Sequence, residues 1–308
     1  MLCLLWTPII ASQRGCIVNT EQRPGLLIFT DLDGTLIDHY SYSADAALGT
    51  LAELQAQKIP VIFNTSKTIE ECQSLASELN VNCPFIVENG SAICFPDQAF
   101  AELARQVMGS ATWQSIEALD DDQPLPVCVL GAELASIHEQ LMPLQSSFDF
   151  LVLSMTDVDT VCELTGLNKE QARKAQQRRY SEPLIWRDSE PALAGFKKQV
   201  AALGLTLLQG GRFIHVLGPS DKGRALQALS ACYRDIYQKP FETVALGDSG
   251  NDLAMLQAAD HPVLIRSPAH ALPTHNNIKN LRISQSTGPA GWAECISELI
   301  QPGNKQRG

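Results

Sequence analysis

The sequence predicts an α/β protein built on a parallel sheet, with a second α/β domain inserted into it. Short apolar runs at 26–29, 59–63 and 244–246 alternate with segments whose apolar residues recur at helical spacing. Each run ends in polar or glycine-containing sequence, as expected of strands that are buried on both faces of a parallel sheet. Between residues 97 and 218 this simple alternation breaks down, which favours an inserted domain with strands and helices of its own.

We therefore divide the chain into an N-terminal extension, a core in two pieces and an inserted domain, at residues 1–24, 25–96 with 219–308, and 97–218. Only 34 residues separate Asp31 from Thr65, enough for one loop and one helix, so the insertion has to come later. The extension starts with apolar residues, but no basic residue leads them and Pro8 interrupts them. It therefore makes a poor signal peptide and is too short to span a membrane.

Charge and cysteine usage exclude several classes of protein. The net charge of −11 argues against nucleic acid as a partner, because phosphate backbones are bound by basic surfaces. No other apolar run approaches the length of a membrane span, so we expect no membrane partner. The nine cysteines are scattered and form no Cys-x-x-Cys pair, which argues against a zinc ribbon or a redox pair. We expect reduced thiols in a cytoplasmic protein.

Two acidic residues follow the first apolar run. Asp31 comes at its carboxyl end, where open α/β sheets carry their chemistry, and Asp33 follows two residues later. Carboxylates this close repel each other unless a cation lies between them, and Mg²⁺ prefers oxygen ligands and bridges carboxylates to phosphate. One carboxylate can attack phosphorus while the other transfers a proton, so we expect a magnesium-dependent phosphoryl site. The alternative is an Asx-rich turn after a strand.

A second polar cluster follows the run at 59–63. A hydroxyl at this strand end, from Thr65 or in reserve from Ser66, can hydrogen-bond a transferring phosphoryl group, and Lys67 can add positive charge. The same residues could instead cap a helix expected at 69–79. Both roles are compatible, because a helix N-terminus and a phosphate site use the same amide-rich geometry.

Three further segments bring polar residues to the ends of predicted elements. Asn89 and Gly90 follow a third predicted strand, although this dipeptide is also a common turn. Lys222 lies in the first turn of a predicted helix, where it opposes the helix dipole unless a carboxylate or a phosphate compensates. Asp248 ends another strand and Asp252 follows four residues on. We expect Asp248 to bind Mg²⁺, with Asp252 as a ligand or as an anchor behind the ligands.

The inserted domain contains a dense basic segment: Lys169, Arg173, Lys174, Arg178 and Arg179. In an acidic protein such a segment either attracts a multiply charged phosphate ester or forms a solvated helix face.

Further candidates for substrate binding follow this segment. Arg179, Ser181 and Glu182 lie beside a proline-stiffened strand and could bind sugar hydroxyls. Arg212 and His215, near a closing hairpin, could contact a carboxylate or a phosphate. A structural role is the alternative for the histidine.

Four of these segments together resemble the motifs of the haloacid dehalogenase superfamily, in the same order along the chain: 31–35, Thr65, Lys222 and 247–252. The resemblance implies a Rossmann-like core with Asp31 as nucleophile and Asp33 as general acid and base. It places Thr65 and Lys222 on the phosphoryl group. It also implies Mg²⁺ as the cofactor, held by Asp31, Asp33, Asp248 and Asp252. An insertion between the second and third motifs resembles a C2-type cap.

A closer resemblance is to the mannosyl-3-phosphoglycerate phosphatase family, over roughly residues 26–299, through the segments 65–68, 87–90, 163–167, 181–183, 211–216 and 288–292. It implies hydrolysis of a phosphorylated sugar derivative, mannosyl-3-phosphoglycerate, to mannosylglycerate, a compatible solute. The alternatives are another sugar-phosphate phosphatase, acting on sucrose phosphate or glucosyl-3-phosphoglycerate, and a phosphomutase. A non-catalytic ligand-sensing module is the alternative outside enzymes.

Overall fold

The computed structural model describes residues 24–117, 123–209 and 213–300. Within these ranges the chain forms one parallel and two antiparallel sheets surrounded by helices, which confirms the predicted α/β class. The strands are β1 (Gly25–Thr30), β2 (Val61–Phe63), β3 (Phe85–Val87), β4 (Ala92–Cys94), β5 (Thr112–Ile116), β6 (Leu125–Val129), β7 (Phe150–Val152), β8 (Ser181–Trp186), β9 (Thr206–Gln209), β10 (Ile214–Leu217), β11 (Phe241–Gly247), β12 (His261–Arg266) and β13 (Arg282–Thr287). The helices are α1 (Leu48–Ala56), α2 (Ile69–Glu78), α3 (Gln98–Met108), α4 (Leu134–Leu141), α5 (Val158–Thr165), α6 (Lys169–Gln176), α7 (Glu190–Ala202), α8 (Lys222–Tyr237), α9 (Leu253–Ala258) and α10 (Gly288–Ile300).

The parallel sheet has the strand order β13-β12-β11-β1-β2, so β1 is hydrogen-bonded on both sides. Its side chains alternate between two apolar clusters: Ile28 packs on one face of the sheet with Trp292, and Leu27 and Phe29 pack on the other. This two-sided burial is the reason that β1 reads as a continuous apolar run. Because β1 and β11 are parallel neighbours, the residues after both strands meet at the same edge of the sheet.

A four-stranded antiparallel sheet, in the order β3-β4-β6-β5, continues from this core. A parallel bridge between Asn64 and Ile86 connects its first strand to the end of β2. The predicted domain boundary at residue 97 falls inside this sheet, since β4 and β6 pair across it. The sequence pattern did not indicate β5, because it is an edge strand with little buried apolar surface.

The two connections to the inserted domain run side by side. A Cβ on Gly218 would lie 2.4 Å from the backbone nitrogen of Ala132, so this close approach requires glycine. Ser91 lies beside both connections, because its carbonyl accepts the N–H of Gly131 at 2.9 Å and its hydroxyl lies 3.2 Å from that of Ser220. We propose from this pairing that the inserted domain spans about residues 130–218 rather than 97–218.

The inserted domain is an antiparallel sheet, in the order β7-β8-β10-β9, with helices on both faces. Neighbouring residues of β8 alternate between the two faces. Leu184 packs in a cluster with Phe196 of α7, and Ile185 packs in a cluster with Val161 of α5. The inserted domain therefore has strands and helices of its own, as the sequence pattern predicted.

Two predicted features fall partly or wholly outside the described residues. The N-terminal extension at 1–24 is described only from residue 24, and Arg212 is not described. In the part of the chain that the structure describes, no helix combines the length and apolar character that a membrane span requires.

Candidate active site

Three buried carboxylates meet at the carboxyl edge of the parallel sheet. Asp31 follows β1, Asp248 follows β11, and Asp252 lies at the start of α9. One carboxylate oxygen from each lies within 4.8 Å of the other two. The parallel pairing of Thr30 with Leu246 brings the two strand ends level, and the Asp31 N–H donates to the Leu246 carbonyl at 2.8 Å.

Lys222 is the fully buried cation of this site. It is the first residue of α8, and its Nζ lies 2.7 Å from Oδ1 of Asp31 and 2.6 Å from Oδ1 of Asp252. Burial alone would lower the pKa of Lys222, but the charges of these two carboxylates outweigh that effect and raise it. The lysine is therefore held as a cation against the candidate nucleophile, as its unfavourable place in a first helical turn suggested.

The carboxylates carry more negative charge than the surrounding side chains neutralise. Burial, followed by the charge of Asp252, raises the pKa of Asp31 to about 8 despite the contact with Lys222. Burial also raises the pKa of Asp248, against a 3.1 Å contact from Nε2 of His270 that lowers it. Three buried carboxylates that share one lysine and one partly exposed histidine keep net negative charge, and they are a suitable donor set for a hard divalent cation.

Local backbone geometry leaves room for such an ion. Gly34 has φ +76°, and a Cβ on it would lie 2.5 Å from Oδ2 of Asp248. Oδ1 of Asp33 is buried and has no hydrogen-bond partner among the described residues. The residues present therefore fit a bound cation between the loops after β1 and β11.

Asp252 differs from the other two acids, because both of its oxygens have partners. Its Oδ1 faces Lys222, and its Oδ2 accepts the backbone N–H groups of Asp248 and Ser249, each at 3.0 Å. It therefore fixes the loop that carries Asp248.

A second charged group lies around Asp33. Nζ of Lys67 is 2.9 Å from Oδ2 of Asp33 and 3.5 Å from Oε1 of Glu71. Burial would lower the pKa of Lys67, but the two acids together raise it. Thr68 caps α2 in a reciprocal capping box with Glu71, so the helix cap predicted for this segment is found, at Thr68 rather than at Thr65, Ser66 or Lys67.

The predicted phosphate-binding hydroxyls lie beside this group. Thr65 is fully buried, and its hydroxyl accepts the backbone N–H of Lys67 at 3.3 Å. Ser66 lines the cleft described below.

Asn89 and Gly90 join the end of β3 to the loops that carry the acids and the lysine. Oδ1 of Asn89 accepts from Nδ2 of Asn251 at 3.0 Å. Gly90 has φ +90°, and a Cβ on it would lie 2.2 Å from the carbonyl oxygen of Asp221, so only glycine fits. Both residues therefore position neighbouring loops of the site.

A cleft of about 200 Å³ opens over Asp31 between the core and the inserted domain. The core contributes the polar side, including Asp33, Lys67 and Asp248. The inserted domain contributes a mainly apolar wall, formed by Leu153, Thr165, Leu167, Ala175, Arg178, Phe213 and His215.

The predicted sugar-binding residues are distributed differently from expectation. Arg179 pairs with Glu70 at 3.0 Å, and the Ser181 hydroxyl donates to Glu88 at 2.7 Å. Glu182 is fully buried and lies 2.6 Å from Nε2 of His138. These three residues do not line the cleft, and the proposal that they bind substrate stays a prediction.

Sequence reasoning singled out His215, which lines the cleft, but missed the individual roles of Arg178 and His270. Arg178 belongs to the basic segment, and only the turn after α6 decides that it faces the cleft while Arg179 faces α2. His270 lies in a loop without a recognisable motif, so the sequence carried no signal for it.

This fold and site define a hydrolase of the haloacid dehalogenase type. Residues 28–277 match the sequence profile of the haloacid dehalogenase-like hydrolases, and the chain belongs to that family. The family resemblance drawn from the four motifs is therefore confirmed.

Curated relatives are similar along nearly their whole length. The chain is 36% identical over 280 residues to a glucosyl-3-phosphoglycerate/mannosyl-3-phosphoglycerate phosphatase of Methanococcoides burtonii, covering 90% of this chain and 98% of that protein. It is 31% identical over 278 residues to a protein of the same name from Persephonella marina, covering 89% and 97%.

Solved structures share the fold at low sequence identity. The sucrose-phosphatase of Synechocystis, solved with sucrose and phosphate, superposes with a TM-score of 0.56 at 17% identity, covering 89% of this chain and 98% of that one. A Streptococcus mutans protein superposes with a TM-score of 0.63 at 18% identity, covering 90% and 99%.

Proposed function

We propose that this chain is a magnesium-dependent phosphatase that hydrolyses mannosyl-3-phosphoglycerate, and its glucosyl analogue, to the glycosylglycerate and inorganic phosphate. The observation that carries the proposal is the buried Lys222 bridging Asp31 and Asp252 below an open cleft. The names of the two curated relatives support this choice of substrate.

In this proposal Asp31 attacks phosphorus and forms an aspartyl-phosphate, while the glycerate alkoxide leaves with a proton from Asp33. A water molecule then attacks the same phosphorus after Asp33 removes its proton, and phosphate departs from the restored Asp31 carboxylate. Lys222 orients Asp31 and offsets its charge, and the hydroxyls of Thr65 and Ser66 hold phosphoryl oxygens. The cap covers the ester and limits the access of bulk water.

Mg²⁺ is the cofactor that we propose, held by the carboxylates of Asp31 and Asp248 and the backbone carbonyl of Asp33. When bound, it would neutralise charge on the phosphoryl group. We assign Asp252 to anchoring rather than to direct coordination, because both of its oxygens already have partners.

The proposed cellular setting is the cytoplasm, where the product would serve as a compatible solute. The seven cysteines that the structure describes are free thiols, which supports a reducing compartment.

A phosphate-release screen tests the proposed function. It compares mannosyl-3-phosphoglycerate, glucosyl-3-phosphoglycerate and sucrose phosphate, with Mg²⁺ and with a chelator. We expect Mg²⁺-dependent release from the two phosphoglycerates above release from sucrose phosphate. Preferred hydrolysis of sucrose phosphate would replace the substrate assignment. A requirement for a sugar bisphosphate activator would point to a phosphomutase, and no release from any substrate would reject the enzyme assignment.

A further inference from the structure

We propose that Arg178 and His215, on the cap side of the cleft, form a subsite for the carboxylate of the substrate, separate from the phosphoryl site of the core. This inference rests on the proposed function and deepens it. It names the side chains that recognise the second negative charge of a phosphoglycerate.

The first argument is the distribution of charge in the cleft. Lys67 already pairs with Asp33 and Glu71, and His270 contacts Asp248. Arg178 forms no ion pair with a carboxylate of the described residues, although it lines the same cleft. It is therefore the guanidinium that has charge to offer to an incoming anion.

The second argument is the way in which Arg178 is held. Its Nε donates to the carbonyl of Ala175 at 3.0 Å, and its Nη1 donates to the carbonyl of Ser66 at 2.6 Å and contacts the hydroxyl of Ser181 at 3.4 Å. These neutral partners fix the guanidinium plane. Its charge acts through space on the carboxylates of Glu71 and Glu88, where it lowers the pKa against the effect of burial, but neither of these described residues forms an ion pair with it. No hydrogen bond from Nη2 to a described residue is found, which leaves it available to a carboxylate oxygen.

The third argument comes from His215, which also lines the cleft. Its ring is buried, and its Nδ1 has no hydrogen-bond partner among the described residues. Burial, followed by the charges of Arg178 and Lys222, lowers the pKa of His215 to about 3. A neutral imidazole with a free nitrogen is a hydrogen-bonding group that lacks a partner until a ligand arrives.

The chemistry of the substrate fits this arrangement. In a glycosyl-3-phosphoglycerate the carboxyl carbon lies only three bonds from the phosphate ester oxygen, so both anionic groups must bind within one cleft. The rest of the described cap wall is mainly apolar, through Leu153, Leu167 and Phe213, and suits the faces of a sugar ring. The polar recognition by the described cap residues is therefore directed at the glycerate rather than at sugar hydroxyls.

The experiment uses two small anions that differ only in the carboxylate, 3-phosphoglycerate and glycerol 3-phosphate. Each is measured as an inhibitor of p-nitrophenyl phosphate hydrolysis by the full-length Mg²⁺-loaded enzyme. We expect 3-phosphoglycerate to bind the wild type more tightly by about 10- to 100-fold, as for hydrogen bonds to a charged group. Arg178→Gln should bring the ratio of the two inhibition constants near one, and Arg178→Lys should give an intermediate ratio.

The matched control is Arg187→Gln, which removes an exposed arginine of the cap that does not line the cleft and should keep the wild-type ratio. Because Arg178 also holds the cap against Ser66, its variants are accepted only if p-nitrophenyl phosphate is still hydrolysed at near the wild-type rate. If the Arg178 variants fail this criterion, His215→Ala tests the subsite instead. It should reduce the ratio of the two inhibition constants without removing any hydrogen bond of Arg178.

Equal inhibition of the wild type by the two anions would overturn the proposal. So would a ratio that survives both Arg178→Gln and His215→Ala, or one that is lost only in Arg212→Gln. These outcomes are distinct from failure of the proposed function. If the proposed function is wrong, the wild type will release no phosphate from glycosyl-3-phosphoglycerates, whatever the ratio of the two inhibition constants.

Discussion

The two sides of the cleft differ in the charge that they carry. On the core side, Asp31, Asp248 and Asp252 crowd together, and a single buried lysine offsets part of their charge. On the cap side, a guanidinium and a neutral imidazole face the cleft, and the guanidinium forms no ion pair with a described carboxylate. The core side is thus complementary to a cation and a phosphoryl group, and the cap side to a free anion. The proposed functions therefore place substrate recognition and chemistry on two domains, and each side can be altered with a distinct expected result.

The largest effect is expected from Asp31→Asn on the core side. The amide cannot attack phosphorus, so phosphate release should fall by more than about a thousandfold. Steady-state phosphate release measures this, and a thermal melt should show that the fold is retained. The control is Asp235→Asn on the exposed face of α8, which should leave the rate unchanged. Appreciable turnover by the Asp31 variant would reject the nucleophile.

Lys222→Met should be the next most harmful change, because it affects both activity and stability. It leaves Asp31 and Asp252 buried without their cation, which typically costs about 3–5 kcal/mol. Urea unfolding in the presence of a chelator measures the free energy of unfolding without any contribution from a metal. Unchanged stability would show that the three side chains do not form the buried cluster described above.

Glu88→Gln tests the joint between the two sides, by which we mean the hydrogen bonds from residues 179–181 to the Glu88 carboxylate. The Glu88 carboxylate accepts the backbone N–H groups of Arg179 and Tyr180, at 2.9 and 3.1 Å, and the hydroxyl of Ser181. An amide keeps only one acceptor oxygen, so we expect a loss of about 1–3 kcal/mol and faster hydrogen exchange in residues 178–181.

The matched control for that joint is Glu182→Gln, a buried carboxylate whose partners His138 and Ser154 both lie in the cap. It should weaken the cap domain without loosening its contact with β3. Equal exchange at residues 178–181 in the two variants would contradict a specific joint at Glu88.

The smallest expected effect is a pH dependence from His215 on the cap side. Its pKa is lowered to about 3 in the folded state, against an ordinary value of 6.5, so the unfolded chain binds the proton first as the pH falls. Its contribution to stability is therefore present above pH 6.5 and is lost as the pH falls toward 3, by about 2 kcal/mol at pH 5. Urea unfolding at pH 7 and pH 5 should show a smaller difference for His215→Asn than for the wild type. Equal differences would mean that this ring is not buried in its neutral form.

Sequence reasoning located the core side well, because its residues stand next to strong local signals. Asp31, Thr65 and Asp248 each follow an apolar strand, and the edge at which parallel strands end is fixed by their pairing. It located the cap side poorly. Arg178 and Arg179 are adjacent and chemically identical, and nothing local distinguishes the one that faces the cleft from the one that pairs with Glu70.

Glu182 and the domain boundary illustrate the same limit. A glutamate beside a serine and a proline suggested sugar binding, which stays a prediction. Nothing local indicated that Glu182 is buried against His138, which lies 44 residues earlier in the chain. The strands β4 and β6 are far apart in the sequence, yet they are neighbours in one sheet, where Cys128 lies opposite Ile93. Contacts between segments this distant depend on how whole layers pack.

The sequence by itself determined the α/β class, the order of the motifs, and the acids, hydroxyl and lysine gathered at the sheet edge. These follow from hydrophobic periodicity and from strand ends, which are local properties of the chain. Only the tertiary structure decided which cap side chains reach the cleft and which acids hold loops instead of facing it. Those outcomes depend on burial and charge pairing between segments far apart in the chain, and only the packed fold brings such segments together.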